Sequence, residues 1–102
     1  MADRIVVFWR DIPAQVIVKQ GRKTAKRELP ARFSEAIDMA AMRAKMTGTD
    51  AYLEQWRRAD PVACGDDLEA EAQRAHDELD AAYPQERVRE LVRNLGSETG
   101  SA

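Results

Sequence analysis

Apolar residues near the start of the chain fall in two short runs without helical spacing. Ile5–Trp9 is apolar at every position, which is typical of a strand buried on both faces. Ala14, Val16 and Val18 alternate with other side chains, which predicts a second strand. Pro13 separates the runs and indicates a bend, because proline cannot donate to a strand ladder.

A turn and a third strand follow the second run. Gln20-Gly21-Arg22 predicts a tight turn, because glycine adopts positive φ at little cost. Residues 23–29 are polar and basic, which suits an exposed edge strand. The first strand would then form the other edge of a three-stranded meander, although it is the most apolar of the three. A partner contact, such as a homodimer, is the hypothesis that accounts for this conflict.

From residue 30 onward the apolar residues take helical spacing. Pro30 opens a predicted helix to about Met46, and Thr49 is the expected N-cap of a second. Asp66 or Asp67 would cap a third helix, and a fourth would run from Pro84 to Gly96. The four apolar stripes are Phe33, Ile37, Ala40, Ala41 and Ala44; Tyr52, Leu53 and Trp56; Leu68, Ala72, Ala75, Leu79 and Ala82; and Val88, Leu91, Val92 and Leu95.

Strands followed by helices predict an α+β fold, in which about four helices pack on a small N-terminal antiparallel sheet of three strands. We expect a single domain over residues 1–96 and a disordered tail at 97–102. The predicted structural core consists of Val7, Trp9, Val16, Val18, Phe33, Ile37, Leu53 and Trp56.

Charge is distributed unevenly along the chain. Residues 1–33 contain eight Lys and Arg against three Asp and Glu, a balance of +5, whereas residues 34–102 contain eight against fifteen, a balance of −7. No apolar run reaches the roughly 20 residues of a membrane span, and the first residues do not resemble a signal peptide. The single Cys64 fits a reducing compartment. We therefore expect a cytoplasmic protein without membrane contact.

A cluster of cations surrounds the predicted turn at Gly21. Three interpretations fit it: a solvated edge strand, a docking surface for an acidic protein partner, or a nucleic-acid interface. Aromatic residues for base stacking are few, and Phe8 and Trp9 belong to the first strand. The cluster consists of Lys19, Arg22, Lys23, Lys26 and Arg27.

Catalytic and metal-binding patterns are missing from the sequence. The five glycines form neither GxGxxG nor GxxxxGK[ST]. Cys64 and His76 are the only residues of their types, and nothing in the spacing brings them together as a nucleophile pair or a zinc site. We therefore expect neither catalytic residues, nor metal ligands, nor a cofactor, and a function other than that of an enzyme.

Four strings of residues carry a family resemblance. They are Val7-Phe-Trp-Arg-Asp-Ile-Pro-Ala-Gln-Val-Ile-Val18, Gly21-Arg-Lys23, Leu29-Pro-Ala-Arg-Phe-Ser-Glu-Ala-Ile-Asp-Met-Ala-Ala-Met42 and Asp50-Ala-Tyr-Leu-Glu-Gln-Trp-Arg57. The chain resembles the small bacterial virulence factor domain family and the N-terminal module of conserved virulence factor C proteins. The resemblance carries no catalytic residue. It implies a genomic setting beside corrinoid-dependent methyltransferase and folate genes, and hence an accessory to methyl transfer.

Charged residues within these strings are candidates for recognition. Packing on the predicted elements does not explain Arg10, Arg32 or Asp38, and Asp11 adjoins the bend at Pro13. If they form a recognition site, Arg10→Ala and Arg32→Ala should leave the melting temperature nearly unchanged. We therefore expect a non-enzymatic interaction domain that binds a protein partner through these residues and the basic hairpin. The alternative is a nucleic-acid-binding module that uses residues 19–27.

Overall fold

The computed structural model describes residues 2–46 and 50–97, and within these ranges it contains five strands and four helices. The α+β class and the antiparallel sheet are confirmed, but the prediction of three strands was wrong. The elements are β1 (Ala2–Trp9), β2 (Ile12–Gln20), β3 (Lys23–Glu28), α1 (Ala31–Arg43), α2 (Asp50–Glu54), β4 (Trp56–Arg58), β5 (Val62–Cys64), α3 (Leu68–Ala82) and α4 (Gln85–Arg93).

The first strand lies inside the sheet. The path runs β3-β2-β1-β4, and β5 also pairs with β1. On its outer side, β1 pairs antiparallel with β4 near Trp9 and with β5 near Ala2. The premise that placed β1 at an open edge was therefore wrong. Its backbone groups are paired within the chain, so the apolar character of β1 no longer calls for a second copy.

The C-terminal part of the second predicted helix is replaced by strand. Only α2 is helical there, and Trp56–Arg58 forms β4 with Trp9 opposite Trp56. Pairing with the open edge of β1 outweighs helix propensity, because buried backbone groups need partners. Leu53 is 63% exposed, so its assignment to the core was wrong, while Trp56 is half-buried. The expected cap Thr49 lies outside the described residues.

Apolar residues cover both faces of the sheet. On one face Val16 and Val18 cluster with Ala72 and Ala75 of α3, and these alanines are small enough for close approach of the helix. On the other face Ile5, Val7 and Ile17 form a small cluster with Trp56 packed against it. Alternation along β1 and β2 produces this division, and it leaves the two strands with little polar surface in the middle of the sheet.

The largest cluster surrounds Trp9 at the end of β1. Trp9 and Ile12 are fully buried among residues of α1 and α4, and the Trp9 indole Nε1 donates to the Tyr52 carbonyl at 3.0 Å. This cluster joins both helices to the sheet. The buried members of the predicted core are Val7, Trp9, Val16, Val18, Phe33 and Ile37.

The ends of the helices agree with the predicted ends in part. Asp67 caps α3, since its carboxylate accepts from the Ala70 amide at 3.1 Å. Helix α1 ends at Arg43, a turn earlier than expected. Ala82 and Leu95 are exposed, so the predicted stripes run too far. Leu95 has φ 59° and ends α4 with Gly96 at φ 93°, a left-handed ending typical of helix C-termini.

Candidate protein-interaction surface

Arg10 and Asp11 form the tight turn between β1 and β2, and this turn is bonded to distant segments. The Arg10 amide donates to the Gln55 carbonyl at 3.0 Å, and the Asp11 amide donates to the Gly96 carbonyl at 2.8 Å. From β4, Arg57 donates through Nε to the Arg10 carbonyl at 2.8 Å and through Nη2 to the Asp11 carboxylate at 3.1 Å. The turn is therefore a junction of three parts of the chain.

The Arg10 side chain is held inside the fold as well. Its Nη1 donates to the Leu95 carbonyl at 2.8 Å, and its Nε donates to Gln55 Oε1 at 3.2 Å. Its Nη2 lies 3.3 Å from Met46 Sδ, and its guanidinium carbon is 5.3 Å from the centre of the Trp9 ring. The expectation that packing leaves Arg10 unexplained was wrong, while a role in partner binding stays a prediction.

Arg32, near the start of α1, binds the C-terminal end of α3. Its Nη2 donates to the Asp80 and Tyr83 carbonyls at 2.8 and 2.9 Å and to the Asp80 carboxylate at 2.6 Å. Carbonyls at the C-terminal end of a helix lack intrahelical partners, and a cation at that end interacts favourably with the helix dipole. The guanidinium carbon also lies 4.6 Å from the Phe33 ring centre. Arg32 thus also has a structural explanation that its spacing did not reveal.

In the basic hairpin formed by β2, β3 and the turn at Gly21, most of the cationic side chains have no partner among the described residues. Arg27 is the exception, because its Nε donates to Gln73 Oε1 at 3.2 Å and its guanidinium forms an ion pair with Glu69 of α3. The other cations are exposed and form no ion pair or side-chain hydrogen bond within residues 2–46 and 50–97. They are Lys19, Arg22, Lys23 and Lys26.

The predicted partner-binding residues do not form one surface. The Arg10–Asp11 turn and the hairpin turn at Gly21 lie at opposite ends of β2. A strand of nine residues spans roughly 30 Å at about 3.3 Å per residue. Asp38 is exposed on α1, and it makes no side-chain hydrogen bond or ion pair with either turn within the described ranges. The sequence-based candidates therefore divide into two structural sites, at the Arg10–Asp11 turn and at Arg32, a basic hairpin with four cations unpaired within the described ranges, and the exposed carboxylate of Asp38.

A groove between α1 and α4 provides a concave surface that the sequence did not predict. Its volume is about 340 Å³, and most of the surface exposed inside it belongs to apolar atoms. The buried side chains of Ala36, Val88 and Val92 form its floor, and Met39 stands beside them with 51% of its surface exposed. The remaining lining residues of this α1–α4 groove are Arg32, Glu35, Arg43, Gln85, Arg89 and Arg93.

The groove is bordered by cations that have no partner among the described residues. Arg43, Arg89 and Arg93 make no ion pair or side-chain hydrogen bond within residues 2–46 and 50–97. The charge of Arg32 is balanced by Asp80. The free charges of the lining are therefore three arginines against Glu35, a balance of +2. A thioether over an apolar floor with a cationic border is suited to an apolar and acidic partner.

Residue spacing along α1 and α4 is the sequence signal that corresponds to this groove. Glu35, Met39 and Arg43 recur every four residues along α1, so they share one face of the helix. Arg89 and Arg93 do the same along α4. Each face alone resembles an ordinary solvated face. Only the packing of α1 against α4 brings the two faces together, and the sequence does not show that these two helices are neighbours.

Two titratable groups outside these surfaces, Cys64 and Asp77, have a shifted pKa. Burial, followed by the nearby Glu71 carboxylate, raises the pKa of the Cys64 thiol, which disfavours the nucleophilic thiolate. Hydrogen bonds from His76 and Gln73 lower the pKa of the Asp77 carboxyl. Within the described ranges no three His, Cys, Asp or Glu side chains converge as a metal site, and no helix is long and apolar enough to span a membrane.

Comparison with protein families gives a clear assignment. The family model described as Virulence factor matches residues 7–92, which covers most of the chain. The chain belongs to the virulence factor family. The match includes the Trp9 end of β1, the basic hairpin and every lining residue of the α1–α4 groove except Arg93. Searches of curated proteins and of solved structures found no match.

Proposed function

We propose that this virulence factor domain is a non-enzymatic protein-interaction module that docks its partner in the α1–α4 groove. The observation that carries the proposal is the exposed Met39 beside an apolar floor, bordered by Arg43, Arg89 and Arg93. Soluble domains leave apolar concavities of this kind mainly at binding sites. Three unpaired arginines around one concavity have no structural task in the described part of the chain.

The family resemblance directs the search for the partner. It implies a setting beside corrinoid-dependent methyltransferase and folate genes, so a protein of that methyl-transfer machinery is the first partner to test. The domain would then position or stabilise that protein without supplying catalytic groups of its own. The partner's identity rests on the resemblance, whereas the docking surface rests on the groove.

A second candidate function is nucleic-acid binding by the basic hairpin. Lys19, Arg22, Lys23 and Lys26 are exposed and unpaired in the described part of the chain, which favours contact with phosphates. Aromatic side chains for stacking are missing from residues 19–27, so the hairpin would bind phosphate backbone without reading bases. Such binding would fall steeply as salt rises.

Two double variants separate the proposals. Arg89→Glu/Arg93→Glu alters the groove, and Lys23→Glu/Lys26→Glu alters the hairpin by the same change in charge. The tagged domain and each variant are mixed with a candidate methyl-transfer partner and with a generic DNA duplex. We expect the groove variant to lose the protein partner and the hairpin variant to retain it. Capture that survives in the groove variant refutes docking in the groove, and DNA binding lost only in the hairpin variant supports the second candidate.

A further inference from the structure

We infer that the partner segment recognised by the α1–α4 groove is an acidic amphipathic α-helix. The inference rests on the proposed function, because it names the chemistry of the segment that occupies the same surface. Three features of the groove lead to it: walls that are both helical, an apolar floor with one exposed methionine, and a cationic border.

The walls favour a helix over a strand as the bound form. An extended peptide gains most of its affinity from main-chain hydrogen bonds to an open sheet edge. The groove lies between α1 and α4, whose backbone groups are bonded within each helix. No sheet residue contributes to the lining. A segment bound here gains no ladder bonds from the domain, which favours an α-helix, because a helix bonds its own backbone.

The floor sets the apolar face of that helix. Ala36, Val88 and Val92 are small and lie low, so side chains of the partner can enter between the two walls. Met39 stands at the side with half of its surface exposed, and its flexible thioether adapts to different apolar neighbours. Such a floor is suited to leucine-sized anchors that recur at positions i, i+4 and i+7 of a helix.

The border sets the charge of the outer face. Arg89 and Arg93 are one turn apart on α4, and Arg43 stands on the opposite wall. Carboxylates of a bound helix at a spacing of four residues would meet the pair on α4, since i and i+4 lie on one face. Charge complementarity of this kind steers association and suppresses wrong partners.

Two other occupants fit the same surface less well. A second copy of the domain would place two cationic grooves against each other, and like charges at an interface oppose association. Nucleic acid would find the arginines, but no aromatic side chain lines the groove for stacking on bases. An acidic helix satisfies both the apolar floor and the cationic border.

The test uses a synthetic, fluorescein-labelled peptide of about 18 residues, a length at which an alanine-rich helix is stable enough to form. It carries leucines at i, i+4 and i+7 and glutamates on the flanking positions. The control peptide has the same composition with the leucines spread around the helix. Fluorescence anisotropy measures affinity for the 102-residue chain, and amide chemical shifts locate the bound peptide.

We expect the striped peptide to bind at least about tenfold more tightly than the control peptide, a difference of about 1.4 kcal/mol. Met39→Glu and Arg89→Glu/Arg93→Glu should each weaken binding by about tenfold or more. The matched Lys23→Glu/Lys26→Glu variant should bind like the unmodified domain. A peptide with lysines in place of the glutamates should bind Arg89→Glu/Arg93→Glu more tightly than it binds the unmodified domain.

Several outcomes overturn the inference. Equal binding of the two peptides shows attraction to surface charge alone, and loss of binding only in the hairpin variant places the peptide elsewhere. Tighter binding of anionic lipid vesicles or DNA to the same groove assigns it to those ligands. If a methyl-transfer partner needs the groove but the striped peptide fails to bind, the helix is wrong and the docking surface stands. If that partner ignores the groove variants, the docking surface is wrong.

Discussion

Two pairs of arginines in this domain have the same chemistry and opposite tasks. Arg10 and Arg32 spend their hydrogen-bonding capacity on carbonyls and side chains of distant segments. Arg89 and Arg93, which border the α1–α4 groove, have no side-chain partner within residues 2–46 and 50–97. Arg10 and Arg32 each follow or precede a fully buried aromatic residue, Trp9 or Phe33, so the fold surrounds their side chains. Arg89 and Arg93 are exposed, and their charge stays available for a partner.

The most severe test of the structural region removes its central side chain. Trp9→Ala should lower the free energy of unfolding by about 3–5 kcal/mol, because the indole is fully buried among α1, α4 and β2. Urea unfolding followed by circular dichroism measures the change. Phe8→Ala is the neighbouring control and should cost less, since Phe8 is half-buried. Equal losses at the two positions would contradict the central place of Trp9.

The comparison itself is tested by removing one arginine from each pair. Arg32→Ala should cost about 1.5–3 kcal/mol, the range for hydrogen bonds that involve a charged group, because carbonyls at the end of α3 lose their donor. Arg89→Ala should change the stability by less than about 0.5 kcal/mol. Arg32→Lys should restore little, since an ammonium lacks the planar fork. Similar effects at positions 32 and 89 would erase the distinction between the two pairs.

A finer test separates the backbone of Arg10 from its side chain. Arg10 has φ 53°, a left-handed conformation that costs a non-glycine residue about 1–2 kcal/mol. Arg10→Gly and Arg10→Ala both lose the guanidinium bonds, but only glycine relieves the backbone. Arg10→Gly should therefore be more stable than Arg10→Ala by about 1 kcal/mol in thermal or urea unfolding. A less stable glycine variant would show that φ is not under strain.

The smallest effect concerns the free cations of the basic hairpin. Lys23→Ala/Lys26→Ala should change the free energy of unfolding by less than about 0.5 kcal/mol, because both side chains are exposed and unpaired in the described ranges. Arg27→Ala, which removes the bonds to Gln73 and Glu69, is the matched comparison on the same strand and should cost more. A large loss in the double variant would mean that the hairpin cations also serve the fold.

The sequence predicted the parts of this fold that depend on local pattern. A continuous apolar run located β1, alternation located β2, and the turn at Gly21 followed by a polar, basic run located β3. Helical spacing located α1, α3 and α4. Strands β4 and β5 have three residues each, too few for periodicity to distinguish them from helix or loop. These segments form strands because they pair with the edge of β1, and a local sequence pattern does not show such tertiary pairing. Leu53 was misassigned for another reason, because helical spacing does not show which face is covered, and the five-residue α2 has no buried residue.

The candidate site was less predictable than the fold. Cations of the basic hairpin were found because they cluster in sequence, but Arg10 and Arg32 were interpreted as free while the structure bonds them. The α1–α4 groove combines residues more than forty positions apart, such as Met39 and Val88. Residues of α1 and α4 come together only because both helices pack around Trp9. The sequence of either helix alone does not predict that packing. A groove of this kind becomes visible only once both walls are placed.

The interior position of β1 has a consequence for how the chain must mature. Ala2 pairs with Cys64, so the sheet closes only after 62 further residues have been synthesised. Until then the outer rim of β1 is an unsatisfied template, the kind of segment that recruits foreign strands into aggregates. A nascent chain cut off before Val62 should therefore precipitate or bind chaperones, whereas one that extends beyond Cys64 can close its own sheet.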